Sequence, residues 1–126
     1  MLKLTGAAVA SALLLAACGP SASELDGNLE VNGMDPVFWG VKVDRAAKTT
    51  TVAVVGSRDL QGELPVRSEG EKGAAILTTK TPEGDFVMTL QPEACKDGLG
   101  EREYHWSATA NWQGETLKGC AAPAAK

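Results

Sequence analysis

Apolar and polar residues alternate along much of this chain with a period of two, the spacing that sends successive side chains to opposite faces of a β-strand. Val37, Trp39, Val41 and Val43 alternate with Phe38, Gly40 and Lys42. Asp44-Arg45-Ala46-Ala47-Lys48 suits a turn, and the β-branched run at 49–55 predicts a returning strand. Residues 65–68 are predicted as a short edge strand, since proline is tolerated mainly at strand starts and edges. Residues 74–80 and 85–91 flank Thr81-Pro82-Glu83-Gly84, which is turn chemistry, so they form a hairpin with Phe86, Met88 and Leu90 facing inward. The clearest strand spans 102–113. It places Tyr104, Trp106, Ala108, Ala110 and Trp112 on one side and His105, Ser107, Thr109, Asn111 and Gln113 on the other. Gln113-Gly114 turns the chain into a last strand at 115–120, which carries Leu117. No segment after residue 17 has a helical period.

The first residues follow another rule. Lys3, an apolar stretch at 4–17 and the small pair Ala16-Ala17 have the three parts of an export signal. That stretch is fourteen residues long, whereas a bilayer core about 30 Å thick needs about 20 residues of helix. A cleaved signal fits better than a permanent span. Leu15-Ala16-Ala17-Cys18 resembles the lipobox of bacterial lipoproteins. The resemblance implies that the Cys18 thiol takes up a diacylglyceryl group and that Cys18 becomes the acylated first residue after cleavage. A plainly secreted protein with Cys18 there by coincidence explains fewer of these features. Each buried methylene contributes about 0.8 kcal/mol, so one acyl chain holds marginally and two or more hold firmly. Gly19, where enteric-type lipoproteins retained in the inner membrane tend to carry Asp, favours an outer-membrane anchor facing the periplasm.

These readings divide the chain into a signal peptide (1–17), an acylated cysteine with a flexible polar tether (18–27), a β domain (28–121) and a disordered Ala-rich tail (122–126). Removing the signal takes one lysine and leaves 109 residues, with 11 basic and 16 acidic side chains, a net charge of −5. That is one modest domain. Its acidity argues against a nucleic-acid partner and suits a basic one. Cys95 and Cys120 are an even pair in an exported domain and read as a disulfide. A metal or redox pair is the weaker alternative, because there is no Cys-x-x-Cys and His105 is the only histidine. The expected fold is all-β: a compact antiparallel barrel or sandwich of about six to eight strands, since an open sheet would leave its edges unpaired.

Candidate chemistry is sparse. His105 lies on the wet side of its strand, and no serine sits in a nucleophile elbow. Glu101 and Glu103 share a face in the manner of a solvated pair rather than a catalytic one. Asp97-Gly98-Leu99-Gly100-Glu101 lacks the ligand spacing of a calcium loop and reads as a turn. Tyr104, Trp106 and Trp112 serve a small β domain better as core than as a stacking platform. The expectation is a protein that is not an enzyme and has no metal or cofactor.

Three stretches carry a further resemblance. Cys95-Lys96-Asp97-Gly98-Leu99-Gly100 with Tyr104 and Leu117-Lys118-Gly119-Cys120, together with Gly33-Met34-Asp35-Pro36-Val37-Phe38-Trp39, resemble a family of bacterial membrane-associated proteins and lipoproteins. Its motifs are Cys-x-Asp-Gly-Met-Ser, Leu-x-Gly-Cys and Gly-x-Glu-Pro-Phe-Trp. The resemblance spans roughly residues 29–121 and implies a Cys95–Cys120 disulfide, with Asp97 and Gly98 shaping the turn beyond the first cysteine. It implies no activity. Asp35 stands for Glu, Leu99-Gly100 stand for Met-Ser, and Val37 is an extra residue that leaves open which of Phe38 and Trp39 faces inward. In architecture the chain is similar to small β-barrel envelope lipoproteins, among them inhibitors of c-type lysozyme. The reading is a non-catalytic, lipid-anchored envelope lipoprotein with a binding or protective role; the alternative is an inhibitor of that basic lysozyme class.

Overall fold

A computed structural model describes residues 21–96 and 102–124. Its strands are β1 (Leu29–Asp35), β2 (Trp39–Asp44), β3 (Thr49–Val54), β4 (Leu60–Gly62), β5 (Val66–Glu69), β6 (Ala75–Thr81), β7 (Gly84–Lys96), β8 (Glu103–Trp112) and β9 (Glu115–Pro123). They form one antiparallel sheet in the order β4-β3-β2-β1-β9-β8-β7-β6-β5. The two ends of that order, β4 and β5, are consecutive in the chain. A sheet whose ends are joined by three residues must curl, and this one is a half-barrel drawn together along residues 60–69. Glu63 N–H donates to the Lys80 carbonyl of β6 at 3.0 Å. Gly62 permits this approach, because a Cβ there would stand 2.7 Å from the same carbonyl oxygen.

Apart from Thr50 and Thr79, the inward face is apolar at every strand but β5: Leu29 and Val31, Val41 and Val43, Val52, Leu60, Leu77, Phe86, Met88 and Leu90, Trp106, Ala108 and Ala110, Leu117 and Ala121 are buried together. Side chains of this size contribute about 1.5–3 kcal/mol each on burial. One end is filled by aromatic rings, with Phe86 5.4 Å from Trp112 and 6.3 Å from Trp39 between ring centroids. Trp106 fills the other end. The curled sheet is therefore packed through its middle by its own side chains.

The strands predicted at 37–43, 49–55, 65–68, 74–80, 85–91, 102–113 and 115–120 all have counterparts, and the Gln113-Gly114 turn has both residues at positive φ (51° and 84°), as a two-residue hairpin of type I′ requires. Trp39 is the inward aromatic and Phe38 points to solvent. β1 is an addition. Its Asn32 and Gly33 break the apolar run, yet it is the strand that joins β2 to β9.

Two boundaries move. Residues expected in a flexible tether fold as a 3-10 turn over Ala22–Asp26, capped by the Ser21 hydroxyl, with Leu25 fully buried. One leucine in a polar segment has no period to reveal it, and only the open end of the sheet gives it somewhere to go. The first residues of the expected disordered tail are likewise ordered. Ala122 is buried, β9 continues to Pro123, and Ala124 N–H donates to the Asn28 carbonyl at 3.0 Å.

Candidate functional site

Antiparallel strands sort the loops into two ends. At one end lie the docked segment Ala22–Asp26, the turn after β2 and the connection from β5 to β6. This end is tied together by charge. Arg67 of β5 donates to both Asp26 carboxylate oxygens, at 2.8 and 3.0 Å, and holds that carboxyl below the usual carboxylate range. Arg45 donates from the β2–β3 turn to the carbonyls of Gly27 and Leu25, and the Trp106 indole N–H reaches Glu24 at 3.2 Å. The N-terminal segment is a plug, gripped from three strands' ends.

The opposite rim carries the loops after β1, β3, β6 and β8. Arg58 pairs with Glu83 at 3.7 Å, and Gln113 donates to the same carboxylate at 3.2 Å, so three of these loops touch. Carboxylates recur around this rim: Asp35, Asp59, Glu83, Asp85 and Glu115 all stand at strand ends or turns. Lys80 and Lys118 lie beside it, opposite Asp85 and Asp35 in register.

A groove of about 520 Å³ runs from this rim down the outer face of β1–β3. Its shape follows from which residues face each other across β2 and β3. Gly40 pairs with Ala53, and these small residues form a floor. The Val55 N–H donates to the Phe38 carbonyl at 3.0 Å, so an exposed Phe38 and Val55 make an apolar wall on the rim side. Lys42 and Thr51, also paired, make a polar wall on the other side, with Asn32 beyond them. Met34, near the end of β1, is also exposed but does not line the groove. Trp39 fixes the local geometry from beneath. Its indole N–H donates to the Lys118 carbonyl at 3.0 Å, and its ring occupies the space that a side chain at Gly33 would need.

A third feature is a small outer cluster. Cys95 and Cys120 are disulfide-bonded with Cα atoms 5.7 Å apart, although β8 lies between their strands. Two strand spacings would be about 9.6 Å. The register shift between Pro92 and Cys95 resolves this by bending the end of β7 over the outer face of β9. The start of β8 follows it. Tyr104 packs with Cys120 and Ala122, its hydroxyl accepts from Asn32 at 3.3 Å, and Arg102 lies 4.7 Å above its ring while pairing with Glu30 at 2.8 Å. That ion pair raises the Arg102 pKa further.

The residues singled out in the sequence distribute as follows. Cys95 and Cys120 are brought together as a disulfide. Tyr104, Trp106 and Trp112 are all buried, but Tyr104 belongs to the outer cluster instead of the main core. Glu103 and His105 are exposed on β8. Cys18, Asp97, Gly98 and Glu101 lie outside the described residues. Phe38 and Val55, the groove's apolar wall, were not singled out as a site. The signal available was Phe38 opposing Trp39 in the alternation, which marks one of the two as solvent-facing. Comparison of the chain with known protein families, with curated proteins and with solved structures finds no match.

Proposed function

We propose that this chain is a non-catalytic lipoprotein of the bacterial envelope, anchored through acylated Cys18 at the outer membrane and facing the periplasm, which binds a basic partner protein by the rim opposite its N-terminal end. One observation carries the binding part. Phe38 and Val55 are exposed at 51% and 60% along one groove, within a rim set with carboxylates. Exposed apolar side chains ringed by polar groups mark interaction sites, and carboxylates around them select a cationic surface and speed its approach. The anchoring part rests on the lipobox resemblance, and the absence of catalysis rests on the sequence reading of His105, Glu101 and Glu103.

The same rim favours a second reading, inhibition of a c-type lysozyme, because that partner is basic and would meet the acidic rim with complementary charge. Photocrosslinking residues placed at positions 38 and 55, with position 48 as a control at the far end, test the proposal in intact cells. Adducts with a basic envelope protein from 38 and 55 alone are expected, and adducts that form equally from 48 refute rim binding. Adding the purified chain to a c-type lysozyme tests the narrower reading. Unchanged cell-wall hydrolysis at excess chain removes it.

A further inference from the structure

We infer that the plug makes the leash short and fixes the molecule's orientation, with the Ala22–Asp26 end against the lipid headgroups and the Phe38–Val55 rim directed away from its own bilayer. The inference rests on the anchoring proposed above. Between Cys18 and Ser21 stand only Gly19 and Pro20. Extended chain spans at most about 3.6 Å per residue, so Ser21 lies within about 11 Å of the acylated cysteine. Had the tether run free to Gly27, it would reach about 32 Å and allow any orientation.

Ser21 to Gly27 is not free. Leu25 is fully buried, Glu24 accepts from Trp106, Asp26 is held in a two-pronged pair by Arg67, and Arg45 holds the carbonyls of Leu25 and Gly27. These partners come from β8, β5 and the β2–β3 turn. A segment bonded to three parts of the sheet cannot swivel without leaving all of them. The surface nearest the bilayer is therefore the β2–β3 turn with Lys48 and the Glu71–Gly73 turn with Lys72, whose exposed tips flank the plug's entry.

Height decides what the rim can meet. The ten residues of β8 span about 33 Å, or about 25 Å along a barrel axis at a tilt near 40°. With the leash added, the rim stands about 35 Å from the anchoring surface. In that upright orientation Phe38, Met34 and Val55 stand clear of the membrane that holds the anchor. Their partner arrives from the aqueous side.

The test uses the full acylated chain in phospholipid vesicles carrying headgroup nitroxides, with a fluorescent amino acid incorporated at position 48 or at position 114. Loss of most of the emission at 48 with that at 114 unchanged is expected. Inserting about twelve Gly and Ser residues after Pro20, an added span of about 20 Å, should remove the difference between the positions. Equal quenching at 48 and 114 without the insert, on a chain whose Cys18 acylation is verified by mass, overturns the orientation alone. A chain recovered from cells with an unmodified Cys18 thiol overturns the anchoring and this inference with it.

Discussion

Truncating Leu25 to alanine tests whether the segment before β1 is an integral part of the fold. The side chain is 0% exposed and closes one end of the curled sheet beside Trp106. Removing three heavy atoms from such a site costs about 2–5 kcal/mol, the higher values arising where the cavity cannot collapse. Here the walls differ in stiffness. The sheet is rigid, but the 3-10 turn is held from outside by hydrogen bonds to Arg45 and Trp106 contributing about 1 kcal/mol each and by the exposed Asp26–Arg67 pair contributing less. The turn can therefore settle inward or let go, and either response caps the loss at the low end, about 2–3 kcal/mol. Urea unfolding of the unacylated chain, followed by tryptophan fluorescence, reads this directly. With a denaturant slope of about 1–2 kcal/mol/M, the midpoint should fall by about 1–3 M with the slope unchanged. A midpoint that moves by less than about 0.3 M would mean that the leucine contributes almost nothing, and the short leash inferred from it would fall too.

Other consequences are as specific. Reducing Cys95–Cys120 should destabilise the chain by about 3.5 kcal/mol on the chain-entropy estimate for a separation of 25 residues, read as a lower urea midpoint in reductant; an unchanged midpoint contradicts it. Gly33→Ala should cost about 1–3 kcal/mol by driving a methyl group into the Trp39 ring and the Lys118 carbonyl, with Trp39 emission shifted to the red; wild-type emission would refute this packing. Phe38→Ser should leave the stability within about 0.5 kcal/mol of wild type while abolishing crosslinks from position 55; retained crosslinks argue against the rim. The Asp26 carboxyl has a folded pKa below its ordinary value because Arg67 donates to it, so its contribution is present above the unfolded pKa and is lost as pH falls through the folded one. Asp26→Asn should flatten the acid limb of the stability–pH curve only there, and an unaltered limb shows that the pair adds nothing.

Phe38 and Trp39 show where local reading stops. Alternation establishes that they face opposite ways and puts Trp39 on the side of Val41 and Val43, but that Phe38 stands beside Val55 depends on the pairing of β2 with β3, which neither strand encodes alone. Tyr104 shows a second limit. It shares the period of Trp106 and is buried as expected, yet the bulge in β7 carries the hairpin end over β9, and Tyr104 packs on the outer face with Ala122. Bulges reset facing, and a period counted along one strand does not see an irregularity in its partner.

By itself the sequence determined the properties that neighbouring residues settle among themselves: period-two strands, turns at Pro82-Glu83-Gly84 and Gln113-Gly114, a cysteine pair in an all-β chain and an apolar run ending at Cys18. Tertiary structure decided whatever needed two distant segments to meet. Leu25 became a plug because the sheet has an end to fill, β1 became a strand because β2 and β9 flank it, and Phe38 and Val55 became neighbours because β2 pairs with β3. Side-chain periodicity follows from the geometry of one strand. Closure follows from the energy of the whole sheet, in which one buried leucine outweighs the polar residues around it.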